Sequence, residues 1–169
     1  MTIDVFAADE QQDHPIEVAF WAGLARKVLE ARGIKGETEV SLLFVDEDAI
    51  AALNEQFLGK AGPTDVLSFP IEDDPGPTGR SPDFGGSGPG SAPEQGALML
   101  LGDVVICPAV AAHNAVQHEV PFEDEIALLV VHGLLHLLGM DHENDGEAER
   151  MEALEQQLLT RLYRVSRWV

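Results

Sequence analysis

Three closely spaced histidines carry the clearest chemistry in this chain. His132 and His136 stand four residues apart in HGLLHLLGMDH, a spacing that stacks two side chains on one face of a helix, one turn apart. Two imidazoles so placed can reach one ion at roughly 2.0–2.1 Å. Gly139 can take the left-handed conformation that ends a helix, and the turn lets His142 swing in as a third ligand. Three protein ligands with an open fourth position make the layout of a catalytic metal site rather than a closed structural one. From Ile126 through Leu138 the helix is apolar all round, with His132 and His136 as its polar side chains. Buried imidazoles need partners. The alternative, ordinary core histidines each satisfied by one hydrogen bond, leaves the third histidine at the glycine turn unexplained. All-imidazole ligation suits zinc, and other divalent transition metals would also be held.

The spacing matches the metzincin protease motif at every position but one. Where those enzymes place the glutamate that activates water, this chain has Gly133. That substitution removes the general base and most of the case for a metallopeptidase. A bound zinc could still lower the pKa of its water to about 7 without such help. A neighbouring carboxylate could orient a ligand imidazole. Asp141 is adjacent to His142 and is a candidate for that role, with a solvated turn residue as the other reading. His14, His113 and His118 fall outside the ligand spacing, and surface or helix-end roles are expected of them.

Around this segment the chain alternates strand and helix patterns. TIDVFA and EVSLLFVD read as strands. Between them, Pro15 to Arg32 reads as an amphipathic helix with Val18, Trp21, Leu24, Val28 and Leu29 on one face and Gly33 at its end. Asp46 can cap a helix carrying Ile50, Leu53 and Phe57 at helical spacing, broken by Gly59 to Pro63. VLSFP and ALMLLGDVVIC are further strands, the second with a possible bulge at Gly102. A helix follows from Pro108 to about Gln117, and another opens at Pro121 with Glu123, Asp124 and Glu125 in its first turn. The latter runs to Gly139. A last helix begins near Asn144 and Asp145 and turns Met151, Leu154, Leu158 and Leu162 inward. Residues 72–95 are more than half Gly, Pro and Ser. They offer little to bury against their ordering entropy, so a flexible loop is expected there. The expected fold is α+β: a single domain spanning 1–169, with one mixed sheet of about four strands packed by helices. The metal site falls on a buried helix and the turn after it.

Composition limits the function classes. A chain of 169 residues can bury roughly 70% of its unfolded surface, so folding needs neither disulfide nor structural metal. Ten basic against thirty acidic residues give a net charge of −20, which argues against a general electrostatic grip on nucleic acid and leaves no DNA partner expected. The early cluster Arg26, Lys27, Arg32 and Lys35 and the late one Arg161, Arg164 and Arg167 read as solvated helix faces and favourable charge at a helix C-terminus. No apolar stretch is long and clean enough to span a bilayer, so no membrane role is expected. The acidic opening MTIDVFAADE does not resemble a signal peptide, and the single Cys107 excludes an internal disulfide. Both point to the cytoplasm. Cys107 closes the apolar run VVIC and reads as a buried structural thiol.

With HGLLHLLGMDH, PTDVLSFP, LGDVVI and the Glu-rich ENDGEAERME, the chain resembles the YbeY family of bacterial ribosomal RNA maturation factors. The match runs from the first helix to the last, interrupted by the 72–95 loop. The resemblance implies that His132, His136 and His142 are zinc ligands. It implies a single-strand-specific, metal-dependent endoribonuclease working in 16S rRNA 3′-end maturation and late ribosome quality control. Ribosomal RNA and the small ribosomal subunit would be its partners. Thr64, Asp65 and Ser68 match the family's block; Ser68 is a catalytic candidate, while a turn capped by Asp65 and a strand hydroxyl from Ser68 is the structural alternative. Asp103 either supports the zinc site or caps the strand end. The family often has an arginine where this chain has Leu58, which moves phosphate contact to Lys60 or Arg80. Besides Asp141, Ser68 and Lys60, no general base is identified. A non-catalytic zinc-containing ribosome-assembly factor stands as the alternative, with the fourth coordination position deciding between them.

Overall fold

A four-stranded sheet with strand order β1-β2-β4-β3 forms the centre of the molecule. The computed structural model describes residues 2–71, 98–140 and 144–164. The strands are β1 (Ile3–Asp9), β2 (Thr38–Phe44), β3 (Val66–Pro70) and β4 (Met99–Ile106). β1 and β4 both run parallel to β2, and β3 closes the edge antiparallel to β4. Among the described residues five helices pack around them: α1 (Val18–Ala31), α2 (Glu47–Leu58), α3 (Pro108–His118), α4 (Phe122–Leu137) and α5 (Asp145–Leu158), followed by π-helical turns at Leu159–Arg164. This is the single α+β domain with a mixed sheet expected from the sequence. The Gly/Pro/Ser-rich stretch 72–95 lies outside the described residues. Among the described residues, no helix is long and apolar enough to cross a membrane.

Strand alternation sorts the core into two faces. Val40, Leu42 and Phe44 of β2, with Val104 and Ile106 of β4, enter the larger cluster with α1 and α4. Val105 turns the other way, to join Ile50 of α2, Leu67 and Cys107. Pairing between β2 and β4 slips by one residue beside Gly102, the bulge expected there. Gly102 has φ 135°, and a Cβ there would lie 2.3 Å from the Phe69 carbonyl oxygen. No side chain fits, so the glycine is obligatory.

The helix signals hold in detail. Asp46 caps α2 by accepting from the Ala49 amide at 2.8 Å, and Asn144 caps α5 by accepting from Glu147 at 2.8 Å. At α2 helical spacing and burial part company. Phe57 does not turn into the core but is 55% exposed, stacking edge-on against Phe69 of β3 with ring centroids 5.2 Å apart. On α5, Met151 and Leu158 are buried while Leu154 and, beyond it, Leu162 are only partly so.

α4 is apolar all round because it is covered all round. β3 and β4 lie beneath it, with α1, α3 and α5 beside it. Its closest approach to the sheet is at Gly133, where a Cβ would lie 2.6 Å from Val104 Cγ1 and 3.3 Å from Ser68 Oγ. That contact sets the rotation of the helix. With about 100° between successive residues, placing Gly133 on the sheet puts His132 and His136 together on one flank of the helix, where His132 meets α5.

Candidate metal centre

His132 and His136 lie in the last turns of α4, where the helix macrodipole is negative and favours a cation. Their rings meet edge to face, with centroids 4.6 Å apart. Nε2 of His136 lies 3.2 Å from Nε2 of His132. Two nitrogens bound to one tetrahedral ion at roughly 2.0–2.1 Å would lie about 3.3 Å apart, so the pair already spans one edge of a zinc coordination tetrahedron.

The other nitrogen of His132 is held from behind. Nδ1 contacts Oε2 of Glu155 on α5. Glu155 is 6% exposed, and the His132 side chain is 27% exposed. An ionised carboxylate can only accept, so this contact favours the tautomer with its proton on Nδ1, which directs the Nε2 lone pair toward His136. Sequence reasoning expected a carboxylate to orient a ligand imidazole but named Asp141 for it. The carboxylate that makes this contact is Glu155. Its signal was present in the helical spacing: it follows Met151 by four residues and precedes Leu158 by three, so it shares their inward face. It was overlooked because the segment reads as a solvated acidic helix.

Directly after His136 the chain turns. The Met140 amide bonds to the Leu135 carbonyl and the Gly139 amide to that of His136, both at 3.0 Å, with φ 98° at Gly139. This is a Schellman cap with glycine in its left-handed position, as the sequence implied. His142 and Asp141 lie outside the described residues. Among the described residues, no group of three or more His, Cys, Asp or Glu side chains is disposed around a common point for a metal. The nitrogens present nonetheless fit zinc in type and spacing.

The remaining candidates separate. Ser68, on β3 opposite Val104, donates from its Oγ to the Gly133 carbonyl at 3.0 Å. It fastens the sheet to α4 one residue from His132, the contact that the strand-hydroxyl alternative called for. Gly133 stands against the sheet, where a Cβ would lie 2.6 Å from Val104 Cγ1, so a side chain there would start out against the strand rather than toward the histidine pair. Lys60 and Leu58 are both exposed beyond the end of α2 or at it. Asp65 accepts from the Asn114 side-chain amide at 3.1 Å, tying the start of β3 to α3. Asp103 lies on the same strand face as Val105, opposite the face that α4 covers, and does not support the histidine pair. Arg80 lies outside the described residues.

A hollow of about 290 Å³ opens beside the histidine–glutamate contact, bordered by Asp65, His118, Glu125, His132 and Glu155. His118 donates from Nδ1 to buried Glu125 at 3.0 Å, so it has a helix-junction role as expected, and Glu125 does more than complement a dipole. Asp124 accepts from the Tyr163 hydroxyl at 2.9 Å. Burial pushes the Cys107 thiol up, outweighing the lowering effect of backbone hydrogen bonds at Val110 and Ala109, and the acidic Glu47 and Asp13 add slightly to the rise. The protonated, unreactive form is therefore favoured, as befits a structural thiol.

The family described as Endoribonuclease YbeY matches residues 6–163 of this chain. A protein from Thermobifida fusca named Endoribonuclease YbeY is 41% identical over 160 residues, covering 94% of this chain and 92% of its own length. One of the same name from Salinispora tropica is 44% identical over 137 residues, covering 80% and 82%. The fold is also similar to that of a Thermotoga maritima protein solved in solution, with a TM-score of 0.54 and 24% identity over 98% of this chain and 93% of that one.

Proposed function

The chain belongs to the YbeY family of endoribonucleases, and from that premise we propose that it hydrolyses single-stranded RNA with a zinc ion held by His132, His136 and His142. Its substrate in this reading is the 3′ end of the 16S rRNA precursor, met on the small ribosomal subunit in the cytoplasm. The observation that carries the metal assignment is the 3.2 Å approach of the two Nε2 atoms, with Nδ1 of His132 turned to a carboxylate. The Schellman turn at Gly139 reverses the chain three residues before His142 and supports its place as third ligand.

A zinc ion bound there supplies Lewis-acid polarisation of a phosphoryl oxygen and activation of water. The chain's own residues do the positioning. Gly133 and Ser68 set the rotation of α4 against the sheet. His132 and His136 present lone pairs from a rigid helix end, and the apolar packing of α4 keeps them from rearranging. With a net charge of −20, binding to free RNA is expected to be weak and to fall steeply with salt, so the ribosome supplies much of the affinity.

The test is a cleavage assay on single-stranded RNA ending in the 16S 3′ precursor sequence. Metal-quantified protein is compared with His136→Ala and with a chelated sample. Cleavage that tracks zinc content and is lost in both controls supports the reading. Stoichiometric zinc with equal inertness in every sample, ribosomes included, would move the chain to a non-catalytic assembly role.

A further inference from the structure

Glu155 is an expensive residue to bury. A carboxylate withdrawn from water costs several kcal/mol unless strong hydrogen bonds compensate it. Between Met151 and Leu158 on the inward face of α5, a leucine would serve packing better. The carboxylate instead meets Nδ1 of His132, whose Nε2 is the nitrogen directed at His136.

We propose that Glu155 is a positioning residue of the metal centre: by accepting from Nδ1–H it fixes the tautomer and ring direction of His132 and presents the Nε2 lone pair to the ion. This rests on the reading of His132 and His136 as ligands. Without an acceptor behind it, the imidazole can carry its proton on either nitrogen, and a protonated Nε2 cannot ligate. The negative charge also makes the ligating nitrogen a stronger donor. The contact links two elements: α4 carries the ligand, and α5, 23 residues further along, decides which of its nitrogens is available.

The full chain is compared with Glu155→Ala, Glu155→Gln and Met151→Ala for zinc affinity, by competition with a chromophoric chelator. Glu155→Ala is expected to weaken zinc binding by roughly 10–100-fold. Glu155→Gln, whose amide oxygen still accepts from Nδ1–H but lacks the charge, falls between that variant and the parent. Met151→Ala thins the same helix face but leaves the carboxylate behind His132 in place, and should stay within about threefold of the parent. In the metal-free protein, long-range nitrogen–proton correlations of His132 should place the proton on Nδ1 in the parent and in Glu155→Gln, and on both nitrogens in Glu155→Ala. Parental zinc affinity in Glu155→Ala overturns the proposal, as does an equal loss in Met151→Ala. If Glu155→Ala does not fold, parental affinity in Glu155→Gln overturns it instead. A parent chain that takes up no zinc removes the ligand assignment itself, and this proposal with it.

Discussion

Two histidine–glutamate pairs flank α4, and they differ in what stands beyond the ring. Near the N-terminal end, His118 from the close of α3 donates to Glu125 at 3.0 Å, and its side chain is 57% exposed. Toward the C-terminal end, His132 contacts Glu155 and its far nitrogen lies 3.2 Å from that of His136. The carboxylate–imidazole contact is common to both. The first pair joins two helices and ends in solvent. The second aims a nitrogen at another nitrogen, at the negative end of a helix. A histidine held by a carboxylate is thus not a site in itself; a second donor converging on its other nitrogen makes the difference.

The comparison breaks most sharply at His136. Replacing His136 by Ala should reduce zinc affinity by more than about 100-fold, beyond the effect of losing a supporting carboxylate, while His118→Ala leaves it unchanged. Equilibrium dialysis with metal analysis reads both. His136 is a better target than His132, because removing His132 would strand the buried Glu155 carboxylate and cost about 3–5 kcal/mol of stability. Similar zinc loss from His118→Ala and His136→Ala would erase the distinction between the pairs.

Gly133→Ala acts on one pair by way of the sheet. Its Cβ would lie 2.6 Å from Val104 Cγ1, and Val104 is stiff, β-branched and fully buried. Overpacking of this kind costs about 1–3 kcal/mol, or a fall in Tm of about 2–10 °C for a chain of this size. Zinc affinity should drop as α4 is pushed off the sheet, whereas the His118–Glu125 contact survives. Thermal melts with and without zinc would show it. Unchanged stability would mean that α4 does not take its rotation from this contact.

Ser68→Ala is a gentler version of the same perturbation. Losing the hydroxyl's bond to the Gly133 carbonyl should cost about 0.5–1.5 kcal/mol, measured by urea denaturation, with zinc still bound. A large loss of cleavage without loss of stability or zinc would instead restore Ser68 as a catalytic group. His118→Ala should leave zinc binding untouched and cost about 1–3 kcal/mol, because Glu125, 3% exposed, loses this partner while solvent can enter where the exposed ring stood.

The contrast between the two pairs was only half visible in the sequence. Periodicity, glycine turns and cap residues marked the elements, because Asp46, Asn144, Gly102 and Gly139 each answer a local backbone requirement that their type reveals. The histidine spacing exposed one ligating face for the same reason. Glu155 was hidden because a buried glutamate in ENDGEAERMEALEQQL looks like a solvated one until its neighbours across α4 are known. Gly133 was half legible: its missing side chain removes the base a protease would need, but the close approach of Val104 from a separate strand shows only in the fold. Phe57 followed the helical period and still faced outward, since α2 lies at the sheet margin where Phe69 meets it from the side.

The central claim is an open metal centre built from three imidazoles, and zinc K-edge absorption spectroscopy on the loaded protein tests it most directly. The account predicts three nitrogen ligands at about 2.0–2.1 Å and one further oxygen from solvent. Four protein ligands, or fewer than three imidazoles, would contradict it.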